Sequence, residues 1–212
     1  MNRRELLRMI AIATGGVMVG GEFLVSGCKN PDAGPAMSFS EEDITLLEEI
    51  AETILPQTTT AGAKAAGVGR FMTVWVNDCY TKEDQDSFHK GLASLNEASE
   101  KKNGKSFLKA GADERKALLV ELDKEAKDHA KKKAEFDMQQ AGLEKAAKEK
   151  GETNFKRATM PAHYFQLMKQ LTIYGYFTSE KGRNEGLRYV PVPGKYETID
   201  YKKGDKLFAG LG

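Results

Sequence analysis

The chain has 212 residues, with 32 Lys+Arg, 31 Asp+Glu and a formal net charge of +1. Residues 1–27 read as a removable signal; without them 29 charges of each sign remain, and so neutral a domain has no general attraction for nucleic acid or anionic lipid. Of its two cysteines, Cys28 is assigned below to an anchor, which rules out an intramolecular disulfide and leaves Cys79 as an expected buried small hydrophobe.

The signal comes first. Arg3, Arg4 and Arg8 make a basic start, and the 13 uncharged residues Met9 to Gly21 are too few for a spanning helix, which needs about 20. Leu24-Val25-Ser26-Gly27-Cys28 looks like a bacterial lipobox, in which the cysteine becomes a lipidated N-terminus. Several acyl chains, at about 0.8 kcal/mol per buried CH₂, anchor far more firmly than one. Asn2-Arg3-Arg4-Glu5-Leu6-Leu7-Arg8 resembles the twin-arginine export motif, departing from it at Asn2 and Leu6. That route carries folded proteins, sometimes with a partner lacking its own signal; an ordinary secretory start is the alternative. The expectation is export and lipid anchoring at the membrane, facing the periplasm. Residues 28–39 then serve as a polar tether, and residues 40–212 as one domain.

Ser40 with Asp43 three positions on predicts a capped helix start, and Ile44, Leu47, Ile50, Ala51 and Ile54 recur at helical spacing until Pro56 stops them. A loop from Gln57 to Ala61 carries three threonines, and Ala63 to Val68 is small and glycine-punctuated. Phe71 to Val76 is the most apolar run after the signal and reads as a buried helix. Residues 83–102 form a third helix with Phe88, Leu92 and Leu95 inward. A fourth begins near Asp113 and runs to about Lys148. Its stripe narrows from Leu118 and Leu122 to Ala126 and Ala130, so it should pack at its start and project or fray towards Lys150. Pairs such as Asp123/Lys127, Asp128/Lys132 and Glu144/Lys148 lace its outside as a solvated face. Pro161 is placed at the first turn of the last helix, which carries Tyr164, Leu167, Met168, Leu171 and Tyr174 along one face. Beyond Gly175 the chain turns aromatic, and Pro191 and Pro193 fix extended backbone. The fold class expected is all-α: a compact helical domain with an extended, aromatic and proline-rich C-terminal arm.

Catalytic chemistry has no foothold in these patterns. His89, His129 and His163 each lack a second His or Cys at zinc-site spacing, and Asp86-x-x-His89 is a lone acid–His pair where a di-iron bundle needs two such motifs and two further glutamates. There is no haem-attachment motif, dinucleotide fingerprint or nucleophile elbow. The sequence therefore assigns this chain no catalytic, cofactor-binding or metal-binding residue. What stands out is a surface. Tyr176, Phe177, Tyr189 and Tyr196, with Arg188, Pro191 and Pro193 among them, have the composition of an interface centre. The same rings could equally pin the arm to its own bundle.

Ile54-Leu55-Pro56, the Thr58-Thr59-Thr60 loop and Ala65-Ala66-Gly67-Val68 resemble the small subunit of membrane-associated gluconate 2-dehydrogenases, the subunit 3 family. So do Gly175-Tyr176-Phe177-Thr178-Ser179-Glu180 and Leu187-Arg188-Tyr189-Val190-Pro191-Val192-Pro193-Gly194, and together the segments span about residues 40–196. Ala61 stands where that family usually has proline before the glycine. The resemblance implies a partner, an FAD-containing large subunit of the glucose–methanol–choline class acting on sugars, sugar acids or glycosides. It leaves room for a haem c in a third, cytochrome c subunit. The small subunit of such a complex holds no cofactor and supports its partner's export and stability. The Lys124–Lys150 stretch is outside the motifs that carry the resemblance. Two other readings stay open: a stand-alone cell-envelope lipoprotein acting as a binding or scaffold module, and an enzyme whose site leaves no sequence pattern.

Overall fold

The computed structural model describes residues 38–152, 154–190, 192, 194, 198, 200 and 202–208. Arg3, Arg4, the signal and Cys28 lie outside the described residues, as do Pro191, Pro193 and Tyr196. The domain is all-α. Its helices are α1 (Glu41–Ile54), α2 (Val68–Cys79), α3 (Lys82–Asn103), α4 (Ala112–Glu149) and α5 (Tyr164–Thr178), with a 3₁₀ turn at Phe107–Lys109 and a π turn at Gly182–Gly186. Among the described residues the only β pairing is an isolated parallel bridge between Arg188 and Phe208.

Local chemistry sets the helix ends. Ser40 and Asp43 exchange capping bonds, Asp43 N–H donating to Ser40 Oγ at 3.1 Å and Ser40 N–H to the Asp43 carboxylate at 2.9 Å. Thr81 caps α3 in the same way through Asp84 N–H. The end of α2 is closed by a side chain from the next helix: Gln85 Nε2 donates to the carbonyls of Val76, Asn77 and Tyr80 at 3.1, 3.0 and 3.3 Å. Cys79, the last residue of α2, is exposed and not the buried hydrophobe its composition suggested. Cys79 continues the arc of Val68, Met72 and Val76, but as the last residue of the helix it is left exposed.

The core gathers around α5, which packs against each of the other four helices. Phe165, Leu167, Met168, Leu171, Thr172, Gly175 and Tyr176 are its buried residues. Among the described residues, the fully buried Thr172 and Ser99 are satisfied, Thr172 Oγ1 donating to Met168 O at 2.8 Å and Ser99 Oγ to Lys105 O at 2.9 Å. The crossing of α3 and α5 depends on Gly91, where a Cβ would stand 2.3 Å from Tyr164 Cβ.

Of the expectations about the last two helices, one is narrowed and one needs correction. First, α4 reaches Glu149 as a projecting helix and does not fray. It runs 38 residues, about 57 Å at 1.5 Å per residue, and keeps Ala147 buried near its far end. The returning chain holds this overhang: Arg157 donates to Asp137 O at 2.7 Å and Ala158 N–H to Gln140 Oε1 at 3.1 Å. Lys133–Asp137 and Lys148–Glu144 pairs support it, while Asp128 meets Lys131 and not Lys132. Second, Pro161 precedes α5 without starting it. Ala162 is pinned to α3, its N–H donating to Asp84 and its carbonyl accepting from Ser87 Oγ, so the chain arrives extended and His163 becomes the cap.

Both features generate predictions. In Gly91→Ala the new methyl meets Tyr164 Cβ, so the variant should lose about 1–3 kcal/mol. Adding Tyr164→Ala should not restore it, because that Cβ remains; chemical denaturation of the single and double variants measures this. His163 caps by accepting Phe165 N–H at Nδ1, 3.3 Å away, which requires the unprotonated ring. Burial, and next the nearby His129, hold its pKa below the usual 6.5, against an opposing pull from Glu125. The unfolded chain therefore takes up this proton first as pH falls. Stability should be full above about pH 6.5 and decline as pH drops from there towards the depressed folded value. Thermal melts at stepped pH should show that decline, and His163→Asn, which caps without titrating, should flatten it.

Candidate functional site

The loop between α1 and α2 is wound around a carboxylate. Glu52, near the end of α1, accepts Gln57 N–H at 2.8 Å and Lys64 N–H at 2.9 Å. The fit leaves no room for a side chain at Gly62, whose Cβ would stand 2.3 Å from the Glu52 carboxylate. One turn earlier, Glu49 receives the Lys64 ammonium at 2.5 Å and the Arg115 guanidinium from α4. The Lys64 hydrogen bond chiefly lowers the Glu49 pKa; burial opposes the shift and Arg115 adds to it. The same pairing raises the pKa of Lys64. Arg115 also donates to the carbonyls of Phe107 and Leu108, at 2.9 and 2.6 Å, which ties the α3–α4 connection into the network.

From the other side the loop meets the end of α5. The Tyr176 hydroxyl donates to Ala61 O at 2.8 Å, and Glu185 Oε2 accepts Ala61 N–H at 2.6 Å. Both backbone groups of one alanine are thus held by side chains more than a hundred residues away in sequence. Glu185 is placed by the π turn. Ser179 Oγ donates to Tyr176 O at 2.6 Å and accepts Gly182 N–H at 3.0 Å, folding the chain back so tightly that a Cβ at Gly182 would fall 1.9 Å from Tyr176 O. Only glycine allows that approach.

Around this latch the candidate interface residues divide. Tyr176 is 6% exposed, so its ring serves the interior and its hydroxyl holds the loop. Phe177 lies edge-on to it, centroids 5.2 Å apart, and reaches the surface. Tyr189 is also exposed, beneath the Arg183 guanidinium at 5.5 Å. Arg188 lies over the exposed Phe208 ring at 4.7 Å, and its N–H donates to Leu207 O at 2.8 Å. Glu52, Gly182 and Glu185 were not singled out by sequence, and Ala61 was noted only as a departure from the family's usual proline. An alanine holding a latch through its backbone carries no side-chain signal, and Glu185 is one acid among many. The available hint was that the two segments carrying the family resemblance flank this very contact.

Among the described residues no group of three or more His, Cys, Asp or Glu is placed to hold a metal ion. Phe39 stacks on His89 at 4.1 Å and Asp86 stands 3.3 Å from Lys82, while the buried His89 Nε2 has no hydrogen-bond partner among the described residues. A shallow groove of about 250 Å³ is lined by Ile54, Leu119, Val120 and Phe165 with Lys116, Lys169 and Asp123 at its edge. It is smaller than the roughly 300–1,000 Å³ of typical ligand pockets. Hydrogen bonds from Lys127 and then Lys169 hold the Asp123 pKa low, which suits an ion pair and not an acid catalyst.

If the latch orders the loop, Tyr176→Phe should cost about 1 kcal/mol, the net worth of one hydrogen bond. Glu185→Ala should additionally expose the Ala61 amide. Native-state hydrogen exchange should quicken at Ala61 in Glu185→Ala and change little there in Tyr176→Phe. Equal exchange in all three proteins would mean that the latch does not order the loop.

A family model described as gluconate 2-dehydrogenase subunit 3 matches residues 41–194, a span that includes every element of the latch. No curated protein and no solved structure matches the chain.

Proposed function

The chain belongs to the gluconate 2-dehydrogenase subunit 3 family, and from that premise we propose that it is the non-catalytic accessory subunit of an FAD-dependent dehydrogenase of the glucose–methanol–choline class. In this reading the large subunit holds the flavin and oxidises a sugar, sugar acid or glycoside, with a cytochrome c as a further component. The present chain binds the folded partner, accompanies it across the membrane under the Arg3-Arg4 signal, and holds it at the membrane through lipid on Cys28.

The observation that carries the proposal is the latch at Ala61. Two segments far apart in sequence are locked together, and on the outside of the lock stand Phe177 and the Arg183-backed Tyr189. Rings pre-ordered in this way bind at low entropic cost, which is the character of an interface centre. The buried Tyr176 supports that surface from beneath, and Arg188, Pro191, Pro193 and Tyr196 would continue the contact along the arm.

Gentle affinity purification from the native membrane, read by mass spectrometry and flavin absorbance, tests this. The expected result is a stoichiometric flavoprotein partner. Phe177→Asp with Tyr189→Ala should cut its recovery on the order of tenfold while leaving this chain's melting temperature nearly unchanged. Recovery of a colourless single chain, even after mild crosslinking, would favour the stand-alone lipoprotein.

A further inference from the structure

Phe71, Trp75 and Tyr174 form a second aromatic group, which the latch does not use. Their ring centroids stand 5.4, 5.9 and 4.9 Å apart across α2 and α5. Gly175 allows the approach, since a Cβ there would lie 2.6 Å from Phe71 Cδ1. The rings are only partly covered. Tyr174 is 47% exposed, and the chain neighbours Val74 and Ile173 are 60% and 41% exposed. Two exposed charges, Arg70 and Asp78, border the group one turn before and after Val74. Tryptophan and tyrosine with an apolar body and a polar edge are the residues that settle at a lipid–water boundary.

The position of this face matters as much as its composition. Arg70, immediately before Phe71, has Nη2 3.9 Å from Glu41 Oε2, so the first turns of α2 and α1 lie side by side. At the next position back, a Cβ on Gly69 would stand 3.1 Å from Ile44 O. The domain's N-terminal entry at Phe39–Ser40 is therefore next to the start of the aromatic face, and Phe39 is fixed there against Phe88 and His89. Cys28 precedes Phe39 by eleven positions, a reach of at most about 40 Å. Acyl chains on Cys28 would hold this end of the bundle, with its uncharged rings, at high effective concentration beside the bilayer.

We propose that the α2–α5 aromatic face is a second membrane contact. Trp75 and Tyr174 sit at the headgroup boundary, with Val74 and Ile173 towards the acyl chains and Phe71 packed behind them. The occupant of this face is the bilayer surface that receives the Cys28 lipid, and the inference rests on the anchored reading given above. Two contacts fix the orientation of the domain, which a tether alone leaves free.

Trp75 is the sole tryptophan, so its fluorescence reports this face directly. The test uses full-length protein purified from its membrane and reconstituted in phosphatidylcholine vesicles carrying acyl chains brominated at graded depths. Bromines near the headgroup should quench Trp75 most strongly. Val74→Asp, a change at an exposed position, should relieve that quenching at least twofold. Acylation of Cys28 is read separately from the mass of the N-terminal peptide. Acylated, vesicle-bound protein with unquenched Trp75 overturns the proposal while leaving the anchor standing. An unacylated Cys28 overturns the anchor, and persistent Trp75 quenching in that protein would still support the face as a lipid contact. Trp75 shielded by a purified flavoprotein partner but not by lipid overturns the proposal in favour of a protein interface.

Discussion

Helix α5 has to be covered on half of its circumference, and the arrangement of the bundle follows from that requirement. At 100° per residue its buried positions, from Phe165 to Tyr176, span an arc of roughly 180°. A single neighbour covers only part of such an arc, so α1, α2, α3 and α4 are all drawn to it. Close approach is secured by omitting side chains at the crossings, Gly91 against Tyr164 and Gly175 against Phe71. The uncovered half holds Ile173, Tyr174 and Phe177, apolar residues left at the surface of the very helix that organises the core.

The C-terminal end of α5 converts this packing into a defined surface. Ser179 and Gly182 turn the chain immediately after the helix, and Tyr176 and Glu185 then reach across to the two backbone groups of Ala61. On the far side the same loop is held by Glu52 and by the Glu49–Lys64–Arg115 network. A segment rich in threonine and small residues, with little to bury, is thereby ordered through its backbone. Such order costs conformational entropy and persists because polar contacts from two directions supply it.

Most of the helical architecture was legible beforehand because its causes are local. Ser40 with Asp43, the leucine stripe of α4 and the stop at Pro56 act within one or two turns. Misreadings arose where a distant partner decides. Cys79 faces solvent because α2 ends where Gln85 of the next helix closes it. The far half of α4 stays helical because Arg157 and Ala158 return to it. Pro161 stays outside α5 because Asp84 and Ser87 occupy the backbone of Ala162.

By itself the sequence determined the all-α class, the order and approximate limits of five helices, and the family through two short segments. Periodicity, capping and composition are properties of neighbouring residues, and they survive without a fold. Only the tertiary structure decided that those two segments close on each other at Ala61 and that Tyr176 turns inward while Phe177 and Tyr189 face out. It alone brought Phe71, Trp75 and Tyr174 into one aromatic face. These outcomes depend on contacts across 99 to 124 positions of chain and on backbone groups that every residue shares, so no local pattern encodes them.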